Sequence, residues 1–127
     1  MTALWVMLGS ALGGGARYGV SGLVARTVGE TFPWGTLAVN IVGSLLIGLV
    51  AAVTGPEGRL LVSGPARQFI MTGMFGGFTT FSSFSLQTLT LAQDGEWGRA
   101  LLNVGLSVVC CLVGVWAGWA IGAAINR

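Results

Sequence analysis

The sequence predicts an all-α membrane protein of four transmembrane helices, with the third helix broken near the middle of the membrane. Of the 127 residues, 54% are hydrophobic and only 8% are charged, against roughly 25% charged in ordinary soluble domains. Short polar turns separate four long apolar segments. In the third segment, the pairs Gly76-Gly77 and Thr79-Thr80 disfavour a continuous helix. A chain of this length forms one unit, residues 1–127.

The first two predicted spans cover residues 3–25 and 34–53. No Lys or Arg precedes Arg17, which argues against a secretory signal peptide, because such a peptide begins with basic residues. Pro33 marks the start of the second span. That span rises about 30 Å, which is one hydrocarbon thickness.

The third and fourth predicted spans cover residues 66–92 and 97–125. Pro65 is placed as a first-turn proline for the third span, and a short Asp-Gly-Glu loop precedes the fourth. Glycines recur at every fourth position in several spans, as at Gly114 and Gly118. This spacing lets helix backbones approach one another, so it predicts a tightly packed bundle.

The predicted break in the third span is the first indication of function. Broken helices persist at membrane depth only where they line a cavity or hold an ion. Phe81 and Phe84 lie three residues apart on one helical face, with hydroxyl side chains around them at Thr79, Thr80, Ser82 and Ser83. This stretch indicates an ion pathway.

Polar side chains elsewhere in the spans are functional candidates, because each is costly in hydrocarbon. They are Arg17 on the first span, Thr36 and Asn40 on the second, and Asn103, Ser107 and Cys111 on the fourth. These groups offer hydrogen-bond donors and no carboxylate, a combination that suits an anion.

Arg17, Ser107 and the two phenylalanines have alternatives that the sequence leaves open. Arg17 either snorkels to a membrane surface or lines a water-filled vestibule that attracts anions. Ser107 alone fits a hydrogen bond between helices or to its own helix. A pair of Phe residues most often packs or faces lipid, although the positive edge of the ring can also approach an anion.

The arginines are balanced across the two ends of the predicted bundle. The chain has six arginines and no lysine, scattered singly, which excludes a nucleic-acid-binding footprint. One end carries Arg59, Arg67 and Arg127, and the other carries Arg26 and Arg99, with Arg17 if it reaches that surface. This balance gives no orientation bias. It favours a dual-topology protein whose copies pair antiparallel, and the alternative is that the first helix alone sets the orientation.

Other functions fit the sequence less well. A small proton-coupled multidrug exporter needs an ionisable residue within the membrane, yet all four carboxylates fall in predicted loops. A structural membrane subunit would explain the glycine spacing and leave the broken helix unexplained. An enzyme is disfavoured because there is no histidine, no buried carboxylate pair and no phosphate-binding glycine loop.

Two motifs resemble those of a known family. The segments 34–40 (WGTLAVN) and 76–85 (GGFTTFSSFS) look like the signature motifs of the small bacterial fluoride channels, the Fluc or CrcB family. Arg17 after a glycine run also fits. The resemblance covers essentially the whole chain, and the two motifs in this order are highly specific.

The resemblance implies a multi-pass protein of the bacterial inner membrane that passively exports cytoplasmic fluoride and confers fluoride resistance. It implies an antiparallel homodimer with two pores and a central structural sodium ion. By similarity, the backbone carbonyls of Gly76 and Thr79 from both subunits hold the sodium ion. The fluoride pathway would comprise Asn40, Phe81, Phe84, Thr36, Ser82, Ser83, Ser107 and Cys111, with Arg17 towards a vestibule.

The chain departs from the family pattern at four positions. Asn103 stands where relatives have a Tyr, Cys111 where a Ser is familiar, Gln87 in place of an acidic residue, and Ser83 in place of a Thr. A thiol is a weak donor, so the anion site at that end of the pathway is weakened. Since Asn40 and both phenylalanines are retained, we expect conduction to survive at an altered rate.

Overall fold

A computed structural model describes residues 1–127, and every regular element in it is helical. The elements are α1 (Thr2–Val28), α2 (Trp34–Val53), α3 (Gly64–Gln68), a π-helical segment (Phe69–Phe75), α4 (Gly76–Phe78), α5 (Phe81–Gln93) and α6 (Trp97–Ile125). We refer to α3, the π-helical segment, α4 and α5 together as the third span. The chain thus folds as four helical rods, of which the third is interrupted between Phe78 and Phe81.

Two of the rods, α2 and α6, are long and apolar enough to cross a membrane. The glycines and arginines of helix α1 lower its mean hydropathy, and α5 is only 13 residues long. Of the 127 residues, only 17 are buried, and large apolar side chains face outward along most of the surface. Exposed apolar area on this scale is typical of a membrane protein.

Helices α2 and α6 pack with their backbones in close contact. A Cβ atom added at Gly118 would collide with the carbonyl oxygen of Leu45, and one added at Gly48 would collide with that of Val115. Small residues at these points allow the two helices to approach more closely than side chains would permit. The predicted role of the spaced glycines in α6 is therefore seen directly.

Helix α1 packs on the third span in the same way. A Cβ at Gly9 would meet the carbonyl of Phe69, and one at Gly13 would meet that of Met74. Gly15 and Gly19 of α1 have the same spacing of four residues, but nothing lies within 4 Å of a Cβ at either position. These two residues lie on the face of α1 that points away from the rest of the protomer.

The π-helical segment was not predicted from the sequence. Over Phe69–Phe75 the helix widens from the α to the π hydrogen-bonding pattern, a form common at functional sites. Gly73 lies within it, and its Cα faces that of Gly9 on α1. The widened segment is followed by the short helix α4 and then by the break.

Candidate functional site

The break consists of two residues in an extended conformation. Thr79 has φ −82° and ψ 159°, and Thr80 has φ −152° and ψ 113°. Thr80 is the N-cap of α5, and its Oγ1 accepts a hydrogen bond of 3.2 Å from the backbone N–H of Ser83. Threonine suits this position because its hydroxyl satisfies a first-turn N–H. The interruption therefore ends one helix and begins another within two residues.

Asn40 on α2 pairs with the backbone of Thr80 through both ends of its amide. Nδ2 donates to the Thr80 carbonyl at 3.0 Å, and the Thr80 N–H donates to Oδ1 at 2.7 Å. In a continuous helix that N–H would donate to the carbonyl of Gly76. The side chain of Asn40 thus replaces a helical partner, and the Gly76 carbonyl is released.

Arg17 on α1 contacts the break from another side. Its Nε donates to the carbonyl of Gly77 at 3.1 Å, and the side chain is half-buried. The guanidinium makes no ion pair, since the protein has one salt bridge, between Arg99 and Glu96. Arg17 is therefore directed at the break, an arrangement that neither of the two sequence-based alternatives described.

A cavity of about 400 Å³ opens beside the break. Asn40 and Thr80 line it at one side, and Ser107 and Cys111 of α6 line it at another. The remaining lining residues are Gly43, Ser44, Ile47, Phe75, Gly76, Thr79, Phe81, Phe84, Val108 and Leu112. The lining carries hydroxyl, amide, thiol and phenyl groups and no carboxylate.

Phe81 and Phe84 both reach this cavity. Their ring centroids are 5.2 Å apart, and the ring planes are inclined at 51°. Phe81 is 77% exposed in the protomer, although its neighbours in sequence fold into a well-formed helix. A phenyl ring this open is free to contact lipid, a second protein copy or a solute in the cavity.

A chain of hydrogen bonds links α5 to α6 next to the cavity. Asn103 is 2% exposed, and its Nδ2 donates to Thr88 Oγ1 at 2.8 Å. Ser107 Oγ donates to Asn103 Oδ1 at 3.3 Å, and Thr88 Oγ1 donates to the Phe84 carbonyl at 2.7 Å. Ser107, a predicted pathway residue, therefore also joins a network that packs the two helices together.

The structure brings together some of the predicted site residues and separates others. Asn40, Phe81, Phe84, Ser107 and Cys111 line the cavity, as do Gly76 and Thr79. Four others do not line it. Thr36 is buried one turn before Asn40, Ser82 is exposed, Ser83 is half-buried at the start of α5, and Arg17 contacts Gly77.

Three residues at the site were not named from the sequence as pathway or network residues. Ser44 follows Asn40 by four residues, so helical spacing could have found it. Thr80 was noted only as one of several hydroxyls. Thr88 follows Phe84 by four residues, and its role becomes visible only once Asn103 is placed opposite.

No group of three or more His, Cys, Asp or Glu side chains is placed to hold a metal ion. The oxygen ligands that a hard cation prefers are here backbone carbonyls at the break. The Gly76 carbonyl has lost the Thr80 N–H to Asn40, and Thr79 leaves the helix in an extended conformation. The oxygens that the break offers are therefore backbone carbonyls, at Gly76 and Thr79.

These features define a class: an all-helical membrane protein built around an interrupted helix and a cavity of neutral polar and phenyl groups. Comparison with known proteins identifies the group within that class. Residues 4–119 match the family model described as CrcB-like protein, Camphor Resistance (CrcB). The chain belongs to the CrcB family.

Similar proteins match over nearly their whole length. One, from Opitutus terrae, is 59% identical over 123 residues, covering 97% of this chain and 93% of its own. Others, from Rhodospirillum rubrum and Methylocella silvestris, are 57% and 56% identical and cover 100% of this chain, with 98% and 97% of their own. All three are named fluoride-specific ion channels.

Proposed function

We propose that this chain is a fluoride-selective channel that lets cytoplasmic fluoride leave a bacterium down its electrochemical gradient, and that it is no enzyme. The observation that carries the proposal is the cavity at the break, where Phe81 and Phe84 stand beside Asn40 and Ser107 with no carboxylate in the lining. The similar proteins named as fluoride channels support it. The membrane would be the cytoplasmic one.

The chemistry of the lining favours an anion over a cation. Amide, hydroxyl and thiol groups can donate hydrogen bonds, and phenyl edges carry partial positive charge. A small, strongly hydrated anion needs such partners in place of its water. Asn40 lines the cavity, and its amide retains one N–H beyond the bond to Thr80.

We infer a dual-topology antiparallel homodimer as the working assembly. The arginines give no orientation bias, and Phe81 is 77% exposed in the protomer. On α1, Gly15 and Gly19 present an open face without a neighbour, and Tyr18 between them is 85% exposed. A second copy would cover such surfaces, with one pore on each side of the dimer centre.

A sodium ion at the dimer centre completes the proposal. The carbonyls of Gly76 and Thr79 from both copies would hold it, which would offset the lost helical hydrogen bonds of the break. We expect the purified dimer to melt at a higher temperature in sodium chloride than in potassium chloride of equal ionic strength. Equal melting temperatures would show that sodium does not stabilise the dimer.

The transport assay is direct. Purified protein in liposomes loaded with fluoride should release it down its gradient without a pH gradient, while chloride stays inside. Equal release of chloride, or release of neither ion, would contradict the channel. A requirement for a pH gradient would favour the proton-coupled exporter instead.

Replacing Phe81 by Ile tests the ring directly. The change keeps an apolar side chain and removes the phenyl edge, so we expect fluoride efflux to fall by at least about ten-fold, or 1.4 kcal/mol in the barrier, with the dimer intact. Trp116→Ile is the control, because Trp116 is 67% exposed and lies outside the cavity. Normal efflux in a correctly assembled Phe81→Ile dimer would remove the ring from the mechanism.

A further inference from the structure

We propose that Asn40 is a positioning residue, whose main action on conduction is to hold the backbone of Thr80 and thereby set where the phenyl rings stand. This inference rests on the proposed function for its effect on flux. It differs from a role as a direct ion ligand, which only the second N–H of the Asn40 amide could fill, because the carbonyl and the other N–H are already bonded to Thr80.

The two hydrogen bonds are of a kind seen between paired strands. Asn40 Oδ1 accepts from the Thr80 N–H at 2.7 Å, and Nδ2 donates to the Thr80 carbonyl at 3.0 Å. One side chain thus satisfies both polar groups of one extended residue. In hydrocarbon a freed backbone group without a partner is strongly destabilising, so the amide is well matched to this position.

The held residue controls the orientation of α5. Thr80 is the N-cap, and Phe81 is the first residue of the helix. Rotation about the Thr80 backbone would swing the whole start of α5, including Phe81 and Phe84. Because these rings line the cavity, a small change at Thr80 is transmitted to both of them.

Arg17 supplies a second attachment on the other side of the break. Its Nε holds the carbonyl of Gly77, three residues before Thr80. Helices α1 and α2 therefore each contribute one polar side chain. Arg17 lies 60 residues from Gly77 in the sequence, and Asn40 lies 40 residues from Thr80. The break is fixed at both ends by neighbours that are themselves continuous helices.

The test separates a positioning role from a ligand role by removing the backbone partner and leaving Asn40 intact. Four proteins are compared for fluoride efflux from liposomes: wild type, Asn40→Ala, a variant with an ester in place of the Thr80 amide, and the combination. The ester lacks the N–H that donates to Oδ1. It also makes the Thr79 carbonyl a weaker acceptor, so its efflux is compared at a sodium concentration at which the melting temperature of each variant no longer rises. An ester at Ser82 is the control, because a first-turn N–H has no helical acceptor.

If Asn40 acts through Thr80, each single change lowers efflux by about ten-fold or more, and the combination is no slower than Asn40→Ala alone. Multiplication of the two effects would overturn the proposal, as would normal efflux from the Thr80 ester. The Ser82 ester should conduct normally, and equal loss in both esters would also overturn it. Should Asn40→Ala fail to assemble, Asn40→Ser takes its place, since its shorter side chain cannot span both groups.

Hydrogen exchange of the Thr80 amide gives a readout independent of conduction. In detergent-solubilised protein we expect exchange at Thr80 at least about ten-fold faster in Asn40→Ala than in wild type. Asn103→Ala, which alters a different network, should leave Thr80 protected. Unchanged Thr80 exchange in Asn40→Ala would overturn the proposal, whereas absence of fluoride release by wild type would overturn only the proposed function.

Discussion

Helices α2 and α6 pack with a glycine of one helix against a backbone carbonyl of the other, as at Gly118 and Leu45. The broken third span is held differently, by side chains of other helices that bind its backbone. Both regions must satisfy polar groups away from water. A continuous helix does so internally and can then present a bare backbone to its neighbour. The break cannot, and it needs Asn40, Arg17 and Thr80 to supply what its own backbone lacks.

The difference shows where sequence changes should affect stability and where they should affect flux. Along α2–α6 the requirement is for space, so added volume is the damaging change. At the break the requirement is for donors and acceptors in fixed directions, so loss of geometry is the damaging change. The four predictions that follow test this contrast, in descending order of expected effect.

Gly118→Val should cause the largest loss. The new side chain would collide with the Leu45 carbonyl in the α2–α6 contact, at a cost of about 3 kcal/mol in the free energy of unfolding. Unfolding in detergent measures it. Gly105→Val is the control, since nothing lies within 4 Å of a Cβ there. Equal losses in the two variants would show that close backbone packing is not what stabilises this pair.

Gly43→Ala should reduce flux more than stability. A Cβ at Gly43 would overlap the methyl group of Thr79, so the added methyl pushes on the break from α2. We expect fluoride efflux to fall by about ten-fold, with destabilisation of about 1 kcal/mol. Gly105→Ala should conduct as wild type does. A Gly43→Ala protein with normal efflux would show that the break tolerates displacement.

Asn103→Val tests whether α5 depends on side-chain hydrogen bonds as the break does. The change removes the bonds to Thr88 and Ser107, and hydrogen bonds between membrane helices are worth about 0.6 kcal/mol on average. We expect a loss of about 1 kcal/mol in unfolding free energy. A double-mutant cycle with Thr88→Val measures the coupling, and additive effects would contradict a shared bond.

Cys111→Ser should have the smallest effect, and it should be a gain. Cys111 lines the cavity, and a hydroxyl is a stronger donor than a thiol. We expect fluoride efflux to rise by about two-fold, which is about 0.4 kcal/mol, with stability unchanged. Cys110→Ser is the matched control, because Cys110 is outside the cavity lining. A rise in both variants would point to folding yield as the cause.

Much of the fold could be predicted from composition and turn residues. Helices α2 and α6 begin and end where the apolar segments 34–53 and 97–125 do, because prolines, glycines and charges end those segments sharply. The interruption of the third span was predicted from Gly76-Gly77 and Thr79-Thr80, and it falls at the threonines. The extended pair is a run of two β-branched residues, and the second, Thr80, is the N-cap of α5.

The partners at the break could not be predicted in the same way. Asn40 was identified as a polar residue in hydrocarbon, but nothing in the sequence says that its amide pairs with Thr80, 40 residues away. The same holds for Arg17 and Gly77. Sequence spacing reports which residues share a helix face, whereas these bonds depend on how separate helices are placed. The π-helical segment was missed because its hydrogen-bond shift leaves no compositional trace.

The π-helical turns of Phe69–Phe75 set the rotation about the helix axis at which all later residues of the third span are placed. A π-bulge is equivalent to one inserted residue, and one residue of α-helix corresponds to about 100° of rotation. Deleting one residue from this segment would therefore rotate Thr79 and Thr80 away from α2. The rings of Phe81 and Phe84 would then point to a different side of the helix. The direction in which the cavity-lining side chains point is therefore set by the segment that leads into the cavity at Phe75.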